Sequence, residues 1–137
     1  MKKVLLALAI ASASLLTLGS CTKEYITNYL PGVSYVYPIE SGDWSYNSGN
    51  RTFEVEINMP DLDSRYFEDG HVSVAISYDD NPTAYEIIPA VIENYEFSAN
   101  YSIGKVRIYA RDIGSGSAVR PSDLITKIVL TDNEIGN

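Results

Sequence analysis

The sequence predicts an all-β protein, an antiparallel β-sandwich of about seven or eight strands, with a partly open barrel as the alternative architecture. Short segments place apolar residues at every second position, which is the period of a half-buried strand. Turn-forming residues separate these segments at intervals of about 8–12 residues. Tyrosine, which favours strands, accounts for 11 of the 137 residues. These features predict one β domain at residues 33–132, near the commonest domain size of about 100–150 residues, followed by a tail at 133–137.

The first strands are recognised by alternation and by a hairpin turn. "VSYVYPI" puts Val33, Tyr35 and Tyr37 on one face, and Pro38, which has no N–H to donate, indicates an edge strand or a strand end. In "WSYNSGNRTFEVEINMP", residues 47–50 supply the turn of a hairpin. The second strand of that hairpin alternates apolar and polar residues, so one of its faces is predicted to be buried. Its apolar set is Phe53, Val55, Ile57 and Met59.

The alternation stops in "DLDSRYFEDG", which predicts a short helix near residues 61–69. Asp61 or Asp63 could cap its N-terminus, and Gly70 could end it in a left-handed conformation. Alternation resumes in "HVSVAISY" and in the strand-like segments that follow it. The last of them, "DLITKIVLTD", is apolar on both faces, so we expect it inside a sheet. "IGSGSAVRPS" is predicted to be the most flexible loop.

Residues 1–20 have the layout of a secretory signal peptide: Lys2 and Lys3, an apolar run from 4 to 18, then two small residues. The run is shorter than the roughly 20 apolar residues of a transmembrane helix, so a retained membrane anchor is the less favoured interpretation. Leu18-Gly19-Ser20-Cys21 resembles the lipobox of bacterial lipoproteins. The resemblance implies cleavage before Cys21, diacylation of its sulfur and acylation of the new amino terminus. Two or more acyl chains make membrane attachment stable.

Cys21 is the single cysteine, so it has no partner for an internal disulfide. Residues 21–32, ending in a Pro-Gly turn signal, are interpreted as a tether. In the bacterial lipoproteins that carry a lipobox, an Asp directly after the cysteine often marks retention in the inner membrane. Thr22 stands there in this chain, so we expect a lipid anchor in the outer membrane, with the periplasmic or cell-surface face undecided.

The net charge of −8 argues against a nucleic-acid partner, since binding to phosphates depends on cationic groups.

His71 is the only histidine and is predicted to lie on the surface at the start of a strand. Ser73 is near it in the sequence, so a catalytic triad is conceivable, but the sequence gives no further support for one. "DLDSRYFED" fails the spacing of an EF-hand, and residues 79–81 are explained as a turn. One histidine and one lipidated cysteine give no zinc site. The sequence therefore predicts neither an enzyme nor a metal or cofactor site.

Trp44 and Tyr46 are the candidate binding residues. A lone Trp is more often a core residue than a platform for sugars. If Trp44 is exposed beside Tyr46, the pair could stack on a glycan or on a side chain of a protein partner.

A set of packing positions is spread over residues 33–131: Trp44, Phe53, Val55, Pro60, Leu62, Tyr66, Phe67, Gly70, Val72, Ile88, Pro89, Gly104, Val106, Ile108, Pro121 and the closing "KIVL". This set resembles a family of small uncharacterised bacterial lipoproteins. Many members carry a collagen-like Gly-Pro repeat after the cysteine, whereas this chain has only Pro31-Gly32 there. The resemblance implies no activity and no site residues. Two functions remain: a non-catalytic binding or adhesion module on a lipid tether, and a structural accessory subunit of an envelope assembly that uses an edge strand.

Overall fold

The structure is a computed structural model that describes residues 32–133. The predicted signal peptide, nearly all of the predicted tether and most of the predicted tail lie outside the described residues. The described part contains nine strands, one 3-10 turn and one short α-helix. The strands are β1 Val33–Ile39, β2 Ser45–Asn47, β3 Thr52–Asn58, β4 His71–Ser77, β5 Glu86–Ile87, β6 Ala90–Ile92, β7 Tyr95–Ser102, β8 Lys105–Asp112 and β9 Leu124–Thr131. The 3-10 turn is Ser41–Asp43, and helix α1 is Ser64–Glu68.

The strands form two antiparallel sheets, which confirms the predicted all-β fold with two layers rather than a barrel. One sheet has the order β1-β9-β4-β5, and the other has the order β2-β3-β8-β7-β6. The sequence predicted about seven or eight strands; the additional one is β6, whose three residues are too few to show alternation. β9 lies between β1 and β4, so the prediction that the last strand is inside a sheet is confirmed.

The core lies between the two sheets and is built from alternate residues of the long strands. In β9, for example, Ile128 and Leu130 are fully buried, whereas Val129 between them is half-buried on the outer side. This is the period of two that the sequence predicted. The inward residues of the other long strands include Val72, Val74, Ile76, Val55, Ile57, Phe97, Val106 and Ile108.

Helix α1 begins where Asp63 caps it. The Asp63 carboxylate accepts hydrogen bonds from the N–H groups of Arg65 and Tyr66, at 3.0 and 3.2 Å. Gly70 follows the helix, but its backbone is not among the positive-φ positions, so the predicted left-handed ending is wrong. The glycine is needed because a Cβ there would lie 2.5 Å from the Thr131 carbonyl oxygen.

Candidate functional site

The edge strand β1 leaves one row of main-chain groups unpaired by its sheet. The Ile88 N–H donates to the Val74 carbonyl at 3.0 Å, so the even-numbered residues of β4 point their main-chain groups toward β5. Because these groups alternate along an antiparallel strand, the odd-numbered residues of β4 pair with odd-numbered residues of β9. Even-numbered residues of β9 then pair with odd-numbered residues of β1. The main-chain groups of Ser34, Val36 and Pro38 therefore point away from β9.

β1 differs from the other three edge strands in length. β2, β5 and β6 contain two or three residues, whereas β1 contains seven. Short strands, charges and prolines are the usual means by which proteins protect a sheet edge from further pairing. β1 has no charged residue, and its only protection of this kind is Pro38, whose missing N–H falls on the free side. β1 is thus a long, uncharged edge with acceptors along its length and donors in its first part.

A groove of about 650 Å³ runs between the free edge of β1 and strand β3 of the other sheet. It exists because β2 pairs with β3 only as far as Glu54, which leaves the rest of β3 without a neighbour on that side. Tyr37 and Ile39 line it from β1, and Val55 and Ile57 line it from β3. A strand added along β1 would place alternate side chains at this groove.

The walls of this groove are fixed by polar contacts. The Tyr35 hydroxyl donates a hydrogen bond to the Asp61 carboxylate, which connects β1 to the loop after β3. That hydrogen bond, together with burial, raises the pKa of Tyr35 to about 12. The rings of Tyr35 and Tyr37 stack with their centroids 6.2 Å apart. The edge strand is therefore held to both sheets before any partner arrives.

The charged residues that line the groove are all acidic: Asp43, Glu54 and Glu56. The Asp43 carboxylate accepts the Glu40 N–H at 2.8 Å in the capping box of the 3-10 turn. Glu56 receives Lys105 Nζ at 2.6 Å and Arg107 Nη2 at 2.8 Å. The hydrogen bond from Lys105, followed by that from Arg107, lowers the pKa of Glu56. Lys105 and Arg107 therefore offset part of the negative charge, and the three acids that line the groove outnumber these two cations.

Trp44 is buried, with 2 % of its surface exposed, and its ring centroid lies 6.5 Å from that of Phe97. The hypothesis that Trp44 is an exposed platform for a glycan is therefore wrong, because the residue after the 3-10 turn points into the core. Tyr46 is 43 % exposed, and its ring lies on Phe53 with centroids 4.6 Å apart. The structure does not bring the two candidate residues together on the surface.

A second groove, of about 300 Å³, lies on the opposite side of the sandwich, between β4 and β7. His71 is exposed at the start of β4, as predicted, and lines this groove together with Ser73. Val72, Ala99 and Tyr101 supply apolar surface there. No carboxylate of the described chain lines the groove, so the third member of a Ser-His-Asp triad is not present at it.

Other carboxylates serve structural roles that the sequence did not reveal. Asp112 is buried and accepts hydrogen bonds from the N–H groups of Val119 and Gly114, at 2.8 and 2.7 Å. These backbone donors lower its pKa, and Arg51 lies 3.3 Å away. The loop predicted to be the most flexible is therefore fastened at both ends to Asp112. Only the spacing of Asp112 before a glycine-rich loop could have suggested this contact.

Within residues 32–133 no group of three or more His, Cys, Asp or Glu side chains is placed to hold a metal ion. No helix among the described residues is long and apolar enough to cross a membrane. Searches against protein-family models, curated proteins and solved structures found no match to this chain.

Proposed function

We propose that this chain is a lipid-anchored protein of the cell envelope that acts as a non-catalytic binding module. The acylated Cys21 would hold it in the outer membrane, and the free edge of β1 would bind an extended segment of a partner protein. The observation that supports this proposal best is the length of that edge, seven residues without a charge, beside an open groove. Peptide recognition by strand addition needs both features.

The partner segment would gain affinity from the main chain and specificity from side chains. Each hydrogen bond to the edge contributes about 0.5–1.5 kcal/mol net, and Ser34 and Val36 offer both donors and acceptors. The acidic lining of the groove favours a partner in which apolar residues alternate with a Lys or Arg. Like the net charge of −8, the acidic residues of the groove disfavour an anionic partner.

The lipid anchor rests on the sequence of the N-terminal segment, in which Leu18-Gly19-Ser20-Cys21 follows an apolar run. A Cys21→Ala variant should then leave the membrane fraction. Proteolysis of an epitope-tagged protein on intact cells separates the two faces of the outer membrane. Degradation on whole cells would support the cell surface, and protection until the outer membrane is opened would support the periplasm.

The structural accessory subunit is the alternative function, and it would use the same edge of β1. The two differ in stoichiometry: a subunit remains bound in a fixed ratio through purification, whereas a binding module is recovered largely free. A glycan platform made of Trp44 and Tyr46 is disfavoured because Trp44 is buried.

The edge can be tested by photo-crosslinking from a residue placed at Ser34 in intact cells, followed by identification of the adduct. Val36→Pro removes an N–H that points away from β9, so it should abolish the adduct and leave the fold intact. Val91→Pro is the matched control, since the same alternation points its N–H away from β7 on another edge. An adduct that survives Val36→Pro would contradict the proposal, as would an adduct lost equally in both variants.

A further inference from the structure

The outer face of the four-stranded sheet carries a row of residues that have no role in the strand addition proposed at β1. The register places Val36, Lys127, Ala75 and Ile87 opposite one another across the four strands. The two ends of the row are apolar and exposed, Val36 by 55 % and Ile87 by 71 %. Neighbouring strands lie about 4.8 Å apart, so the row spans roughly 14 Å.

The rest of this face is small or apolar. Ile125 and Val129 lie on either side of Lys127 in the alternation along β9 and are half-buried. Among the described strand residues that point outward from this sheet, none is Asp or Glu, although the chain has 18 acidic residues. Among these outward-pointing strand residues, only Lys127 and His71 are charged or titratable. The Lys127 ammonium lies 5.6 Å from the centre of the Tyr85 ring.

We propose that this face lies on a phospholipid surface, with Lys127 at the level of the phosphates and with Val36 and Ile87 in contact with the acyl boundary. Lipid surfaces attract faces that combine apolar side chains with cations and repel faces with carboxylates. A cation beside an aromatic ring and between two exposed apolar residues fits that chemistry. The inference rests on the lipid anchor proposed above.

The position of the anchor favours lipid over protein as the occupant. Ten residues separate Cys21 from Gly32, and β1, the strand they lead into, belongs to this same sheet. The extended chain from Cys21 to Gly32 spans at most about 40 Å, so an acylated Cys21 would keep the start of β1 within that distance of the bilayer. With the face on the lipid, the free edge of β1 would point sideways along the membrane, where a membrane-bound partner could reach it.

The test uses the mature acylated protein in vesicles of phosphatidylethanolamine and phosphatidylglycerol that contain lipids with a quencher on the acyl chain. A fluorophore is attached through Ser34→Cys on the proposed face or through Asn58→Cys on the outer face of the other sheet. Quenching should be at least about twofold stronger at position 34 than at position 58. Adding Val36→Glu and Ile87→Glu should reduce it to the level seen at position 58.

The matched control is Val91→Glu, which places an acid at a valine 65 % exposed on the outer face of the five-stranded sheet and should leave the quenching unchanged. Equal quenching at positions 34 and 58 would overturn the inference. So would strong quenching at position 34 that Val36→Glu and Ile87→Glu leave unchanged. The absence of the lipid anchor would be detected by a separate control. In a chain without added cysteines, a Cys21 that is not acylated would react with the fluorophore. This result would overturn both proposals.

Discussion

The outer faces of the two sheets have opposite chemistry, although both face outward from the same core. On the five-stranded sheet, Arg107 lies 2.8 Å from Glu56 and 3.6 Å from Glu54, and Arg111 pairs with Glu96. On the four-stranded sheet no carboxylate projects outward from the described strands, and Lys127 is the only Lys or Arg. The cross-strand register brings opposite charges together on one face and apolar residues together on the other. This difference is the basis of the contact that we propose for the outer face of the four-stranded sheet.

The largest expected effect is the difference in stability between a core residue and its neighbour on the outer face of the four-stranded sheet. Ile128→Ala in β9 removes a fully buried side chain and should lower the free energy of unfolding by about 2–5 kcal/mol. Val129→Ala, at the next residue on the outer face, should cost less than about 1.5 kcal/mol. Urea unfolding of both variants measures the difference. Equal losses would mean that the outer face is packed like a core, and the comparison would fail.

A charge reversal should affect the outer face of the five-stranded sheet, where charges are paired, more than the outer face of the four-stranded sheet. Arg107→Glu places three acids together at Glu54, Glu56 and position 107, and should lower the Tm by roughly 5 °C at low salt. Lys127→Glu should change the Tm by no more than about 2 °C, because no carboxylate of the described strands projects from its face. About 1 M salt should restore most of the Arg107→Glu loss, since the Debye length is then about 3 Å. A loss insensitive to salt would show that Arg107 acts through packing.

The same contrast between the two outer faces predicts which residues make the stability of the fold fall at acidic pH. The pKa of Glu56 lies below its ordinary value of 4.5, so its contribution to stability is complete above that pH and is lost as the pH falls through the lower value. Glu56→Gln should flatten part of the decline in the urea midpoint between about pH 5 and pH 3. Lys127→Gln on the other face should leave the decline unchanged. The remaining decline is expected from Asp112, whose pKa is also lowered.

The smallest effect on stability is expected for the exposed apolar residues themselves. Val36→Ser and Ile87→Ser should each change the free energy of unfolding by less than about 0.5 kcal/mol, because both side chains are more than half exposed. Thermal and urea unfolding provide the measurement. A loss above about 1 kcal/mol for either would mean that the residue is kept for folding, and the face would need no external contact to explain it.

The sequence predicted local structure better than it predicted the candidate site. The period of two identified the long strands, and Pro38 correctly indicated that β1 lies at an edge. The burial of Trp44 could not be decided, because Trp44 follows a 3-10 turn rather than lying within an alternating strand. The groove beside β1 depends on the order of the strands and on the short pairing of β2, which are long-range properties. The apolar row on the outer face likewise appears only when the register of four strands is known.

The most direct test of strand addition at β1 is amide hydrogen exchange at four neighbouring positions. In the purified protein, the amides of Tyr35 and Tyr37 should be protected by β9, and those of Ser34 and Val36 should exchange rapidly. When the protein is extracted from its own envelope with bound partners in mild detergent, Ser34 and Val36 should become protected as well. Rapid exchange at these two amides in both samples would contradict the binding role proposed for this edge.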